Sequence, residues 1–179
     1  MIALNEFTVT GGNNLITSIS IASGGPGDAS PNGLLYTAVL WSDPLGTGVP
    51  GIPPPTVLGS IPNQVISGSG TNTFLTSTFS SPIAVLTQNF YVGFIVTHFP
   101  GQSPGAADTS LLFSNRSFVA FSAGSTGNIY DLNQNDIPVG SFDGTWMIRA
   151  NAVPEPSVYM LLGIGLLFCC QRFLRHPAA

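Results

Sequence analysis

Lysine is absent from this chain, and only four arginines stand against eight acidic residues. Nucleic-acid binding needs a stripe of cations that neutralises successive phosphates, so nucleic acid is excluded as a partner. Any other polyanion would be repelled too, unless metal ions bridged it. The few charges divide along the chain. Residues 1–152 carry Glu6, Asp28, Asp43, Asp108, Asp131, Asp136 and Asp143 against Arg116 and Arg149, which leaves −5. Residues 153–179 carry Glu155 against Arg172 and Arg175, which leaves +1 and brings the total to −4. Cysteine is missing from the first 152 residues, where no disulfide can staple the fold. The adjacent pair Cys169 and Cys170 cannot form an ordinary disulfide within a helix and reads as small apolar filler.

Long helix-forming stretches are lacking as well. Charged residues make up 7% of the chain, whereas glycine (21), proline (15) and uncharged Ser, Thr and Asn are plentiful, a balance that favours short strands joined by many turns. Alternation of apolar and polar residues predicts strands at 5–10 and 15–22, the second half-exposed with Ile19 and Ile21 opposite Ser18 and Ser20. Two stretches are apolar on both faces and read as central strands. In residues 34–42, Leu35, Thr37, Val39 and Trp41 oppose Leu34, Tyr36, Ala38 and Leu40; residues 90–98 place Phe90, Val92, Phe94, Val96 and His98 together, with Gly93 leaving room for a neighbouring ring. Shorter strands are expected at 56–61, 71–79, 111–114 and 117–121, a turn-rich stretch at 124–143, and a last strand at 145–152. Seven to nine strands without a body helix predict an all-β fold, an antiparallel two-sheet β-sandwich of jelly-roll type.

Enzymatic signals are weak. Gly101-Gln102-Ser103-Pro104-Gly105 fits G-x-S-x-G, but no recognisable helix opens after the serine, and His98, the one body histidine, precedes it. His98 reads instead as a strand-end residue at the sheet rim. One histidine and no cysteine exclude an ordinary zinc site from the body. Asp131, Asn133, Asn135 and Asp136 resemble the opening of a calcium loop, yet Asp136 stands where an EF-hand needs glycine and Phe142 where it needs glutamate. They are a weak candidate calcium site, with a solvated turn as the simpler reading. Tyr36, Trp41 and Trp146 could stack against a sugar, and core packing is the alternative. No cofactor is expected.

The tail is the most specific stretch. Val153-Pro154-Glu155-Pro156-Ser157 is a hinge in which two prolines forbid helix and hold one carboxylate in extended chain. Residues 158–170 follow without a charge or an amide, then Arg172 and Arg175. The apolar run alone covers roughly 20 Å as helix, and residues 157–174 cover about 27 Å, so with both arginines snorkelling the segment just spans a hydrocarbon core of about 30 Å. Its aliphatic and aromatic side chains favour insertion by only about 3 kcal/mol, as suits a temporary transmembrane helix, and the arginines place the C-terminal side in the cytoplasm.

The order of hinge, apolar helix and basic end resembles the PEP-CTERM sorting signal of exopolysaccharide-producing Gram-negative bacteria. The resemblance implies that exosortase, a membrane-embedded cysteine protease or transpeptidase, recognises Pro154-Glu155-Pro156 and separates body from tail. Segments such as Phe90-Tyr91-Val92-Gly93-Phe94 are similar to the β-rich bodies often joined to such tails. Residues 1–6 carry no basic, apolar export signal; since a sorting signal has no use without export, a natural chain starting upstream of Met1 is expected. Taken together, residues 1–152 are expected to be a sandwich body and 153–179 a sorting signal. The protein is expected to be exported, held by inner-membrane lipid as a precursor, processed by exosortase for the cell surface or exopolysaccharide matrix, and without catalytic activity. A carbohydrate-binding module is the first alternative, marked by an exposed row of aromatics. A hydrolase is the second, marked by two carboxylates facing each other across a cleft.

Overall fold

A computed structural model describes residues 1–25, 28–110, 116–124 and 127–154. Eleven strands follow one another among them: β1 (Ile2–Thr8), β2 (Leu15–Ala22), β3 (Leu35–Ser42), β4 (Thr56–Val65), β5 (Phe74–Ala84), β6 (Asn89–Val96), β7 (Ala107–Asp108), β8 (Ser117–Phe121), β9 (Ile137–Ser141), β10 (Thr145–Trp146) and β11 (Ile148–Val153). One 3-10 turn, Leu132–Gln134, interrupts them. The expected all-β, antiparallel architecture is present: a six-stranded sheet in the order β4-β3-β6-β1-β8-β9 and a three-stranded sheet in the order β11-β2-β5, with β10-β7 as a two-stranded ribbon. That partition, six, three and two, departs from the eight strands of a regular jelly roll. The expected strand at 111–114 and the expected transmembrane helix lie outside the described residues, among which no helix is long and apolar enough to cross a membrane.

The two doubly apolar stretches occupy the middle of the large sheet, as their patterning requires. One face of β3 and β6 places Tyr36, Ala38, Leu40, Phe90, Val92 and Phe94 against Ile16, Ile19 and Ile21 of β2, forming the core between the sheets. The opposite face buries Val39, Trp41, Tyr91 and Ile95 with Phe118 and Leu132. Among the described residues no second sheet covers that outer face. Residues 127–136 fold over it, with Leu132 completely buried and the Trp41 indole N–H donating to the Ile129 carbonyl at 2.8 Å. At Gly93 it is the neighbouring backbone, not an aromatic ring, that approaches: a Cβ there would stand 2.1 Å from the Ala3 carbonyl oxygen on β1.

Two expectations change with the neighbours each strand acquires. Ser18 and Ser20 of β2 are buried, not half-exposed, because β2 lies between β11 and β5. Ser20 exchanges a 2.8 Å hydrogen bond with Thr76, and Ser18 accepts one from the Asn151 amide. The expected last strand is split at Met147, whose N–H donates to the Ala106 carbonyl while its own carbonyl accepts from Ala22. The main chain thereby crosses from the ribbon to the small sheet.

Proline marks the sheet margins. Pro62 in β4, Pro138 in β9 and Pro82 in β5 all lie in outer strands and within register shifts against the inner neighbour. A missing N–H is tolerated only where no further strand must pair. Beside Pro62, Asn63 takes a positive φ of 58°, the left-handed geometry that lets two residues bulge opposite one.

Candidate functional site

The hinge begins where the small sheet releases the chain. β11 pairs with β2 through Val153 opposite Leu15, with a bulge between Asn151 and Ala152. Pro154 has no N–H to continue the ladder, so pairing stops there. The strand therefore carries one residue past the expected boundary at 152. Val153 is half-exposed, and Pro154 lines an open groove of about 720 Å³ with Val9, Gly11, Gly12, Leu86 and Gln88. Glu155, Pro156, Ser157, Arg172 and Arg175 lie outside the described residues.

The groove belongs to one end of the sandwich, and the register fixes which loops share that end. Thr8 is opposite Asn89, Ser42 opposite both Phe90 and Thr56, and Leu15 opposite both Ala84 and Val153. Loops 9–14, 43–55 and 85–88 therefore emerge together with the hinge. Hydrogen bonds from Val9 N–H to the Gln88 carbonyl and from Val85 N–H to the Asn14 carbonyl tie two of them together.

Below these loops lies a group of ionisable side chains that sequence reasoning missed. Asp43 is buried, and its Oδ1 accepts from the Gly46 N–H at 3.0 Å. Its Oδ2 accepts from the Gly48 N–H at 2.9 Å and the Tyr91 hydroxyl at 3.2 Å. Burial pushes the Tyr91 phenol far up, and the adjacent Asp43 charge adds to the shift. Glu6, whose side chain is 8% exposed, lies 4.0 Å from the Arg116 guanidinium. Burial raises the Glu6 pKa, Arg116 opposes the rise, and Asp43 reinforces it. The signal for this arrangement was the Asp-Pro-Leu-Gly-Thr-Gly run at 43–48, an acid shortly before glycines whose N–H groups it can cap. The Asp43 oxygens face loop donors, which makes the group a clamp on loop 43–48 in its observed state.

Ser103, His98 and Asp28 line a common cleft of about 480 Å³ at the opposite end, but His98 Nδ1 faces the Phe99 carbonyl at 3.1 Å and not the serine. Residues 104–110, the described stretch after Ser103, contain no helix, and the Ser103 carbonyl accepts from the Gly24 N–H.

The four candidate calcium residues engage separate partners. Asp131 caps the 3-10 turn by accepting from the Asn133 N–H, Asn133 donates to the Gly51 carbonyl, and Asp136 accepts from the Ala123 N–H at 2.6 Å. Asn135 is buried and accepts from Ser122 and Asn128 while donating to the Asn128 and Leu132 carbonyls. Among the described residues no group of three His, Cys, Asp or Glu side chains gathers to hold a metal ion.

The three candidate sugar-stacking aromatics are buried and divided between the two cores. Trp41 lies in the outer one, whereas Tyr36 and Trp146 lie between the sheets. Tyr36 meets the Ser77 hydroxyl at 3.0 Å, and Trp146 stacks on Phe142 with ring centroids 3.9 Å apart.

No curated protein and no solved structure matches the chain. Residues 152–175 match the PEP-CTERM protein-sorting motif, which begins on the last residues of β11 and takes in the whole hinge, the apolar run and both terminal arginines. The motif implies recognition by exosortase, export and processing in transit across a membrane. The chain thus joins a β-rich, antiparallel body to a PEP-CTERM sorting signal.

Proposed function

We propose that this is a non-catalytic surface or matrix protein that exosortase processes at the Pro154-Glu155-Pro156 hinge. Residues 1–152 form the delivered body, and 153–179 form the signal. Residues 157–174 span the inner membrane as a helix until processing, with Arg172 and Arg175 on the cytoplasmic side. The mature body then resides at the cell surface or in the exopolysaccharide matrix.

The observation that carries this reading is the match at 152–175, which begins on an outer strand whose pairing ends at Val153, with Pro154 exposed beyond it. The absence of catalysis draws support from Asp43, whose oxygens accept hydrogen bonds from loop N–H groups and Tyr91, and the burial of Trp41, Tyr36 and Trp146 weighs against the carbohydrate-binding alternative. Mass spectrometry of the protein from its native host, with and without exosortase, tests the proposal. A body ending at or near the hinge is expected only in the strain with exosortase. Identical masses in the two strains would overturn it.

A further inference from the structure

The end of the sandwich that releases the hinge differs from the rest of the surface. Leu86 at the tip of loop 85–88 is 89% exposed, and Leu45 in the turn after β3 is 68% exposed. Val49 and Ile52 extend this apolar character along loop 43–55. Loops 9–14, 43–55 and 85–88 contain one ionisable side chain, Asp43, which is 3% exposed and hydrogen-bonded through both oxygens. Acids lie at the other end: Asp28 adjoins Ala29, which bridges to Gln102 beyond β6, and Asp136 holds Ala123 just past β8. The three loops of this end expose aliphatic side chains and no charge, with the Glu6–Arg116 pair set below them, while the opposite end carries Asp28 and Asp136.

We propose that this end docks on the surface of a phospholipid bilayer while the precursor is anchored, with Leu86 and Leu45 entering the interfacial layer. The inference rests on the anchoring reading above. Pro154 lies beside Leu86 in the groove, and four residue steps separate it from Val158, where the apolar run begins. Fully extended, those steps reach about 14 Å, so the body cannot withdraw far from the membrane. A tether this short holds the loops at an effective concentration in the mM range, where even weak partition of two exposed leucines is populated. Loops 9–14, 43–55 and 85–88 carry no lysine or arginine with which to seek anionic headgroups. Contact is therefore apolar, and the acidic far end points away from the lipid. Docking also fixes the height of the hinge above the bilayer, which positions it for a membrane-embedded protease.

The test uses the full chain in phosphatidylcholine vesicles, with bromine on the lipid tails as a short-range quencher. Leu86→Trp and Phe99→Trp each place a tryptophan at an exposed site, the second beyond the end of β6 opposite the hinge. The wild-type emission of buried Trp41 and Trp146 is subtracted. The tryptophan of Leu86→Trp is expected to lose about half its emission in brominated vesicles, and that of Phe99→Trp to be unaffected. Flotation on a density gradient reports anchoring independently. Flotation with both variants unquenched overturns docking alone, and failure to float overturns anchoring and docking together. Shielding of the Leu86→Trp site without bromine quenching, growing with protein-to-lipid ratio, would identify a face between copies or toward another protein and overturn the lipid assignment.

Discussion

Replacing Leu132 with alanine tests whether the outer face of the large sheet is a second core. Leu132 sits in a single 3-10 turn, is completely buried, and closes a cluster formed by Ile2, Leu4, Val39, Trp41, Tyr91 and Phe118. Truncating a fully buried leucine removes its transfer free energy and leaves a cavity, about 2–5 kcal/mol in total. The lower half of that range is expected here, since a loop can settle onto the gap more readily than a sheet. A cost of about 3 kcal/mol is a large fraction of the roughly 5–15 kcal/mol that keeps a domain folded, and lowers the melting temperature by about 6–12 °C at this chain length. The assay is thermal unfolding of the full chain in mild detergent by circular dichroism. Tryptophan emission supplies a local readout, because Trp41 donates to Ile129 in the same loop and should shift to the red as water enters. Tyr130→Ala, at a site 73% exposed, is the control and should change neither quantity. A loss under about 1 kcal/mol with unshifted emission would refute the idea that residues 127–136 seal a core.

Gly93→Ala should prevent folding or cost more than the about 1–3 kcal/mol typical of overpacking, because the added carbon meets main chain that cannot swing aside; wild-type melting would refute the close approach of β1 and β6. Burial raises the Glu6 pKa above its ordinary 4.5, so the protonated form favours the fold. Its contribution is fully present below pH 4.5 and is lost as pH rises through the folded value. The stability of the wild type relative to Glu6→Gln should accordingly fall from pH 4.5 upward, as denaturant titrations would show; a rising difference would refute the assignment. Glu6→Gln also removes the ion pair with Arg116, whose largely exposed side chain makes that pair a minor contributor. Tyr91→Phe removes one donor to buried Asp43 and should destabilise by about 1–2 kcal/mol, measurable by the same titrations.

The inner strands were legible because their patterning is local. Phe90, Val92, Phe94 and Val96 face the inter-sheet core, and Val39 and Trp41 the outer one, as their alternation required. Trp41 and Val39 even announced a covered outer face, although nothing in residues 127–136 identified the cover. The outer strands were harder to see. β9 reads Ile-Pro-Val-Gly-Ser, two turn formers in five residues, and becomes a strand because only one side needs its hydrogen bonds. Burial of Ser18 and Ser20 depends on β5 and β11, which pair with β2 from about 60 and 130 residues away, beyond any local pattern. At the candidate site, the hinge was legible as a word in the sequence. The clustering of Leu45, Leu86 and Pro154 needed the strand register that brings distant loops to one end.

An open strand margin invites fibrous stacking wherever copies of a protein meet. Pro62, Pro138 and Pro82 blunt three of the four margins of the two larger sheets. The fourth is β11, six residues long and carrying Arg149, the margin of these two sheets where a foreign strand could still be added. At three margins a second copy would meet a pyrrolidine ring with no amide hydrogen to offer, so edge-to-edge growth there finds an interrupted ladder.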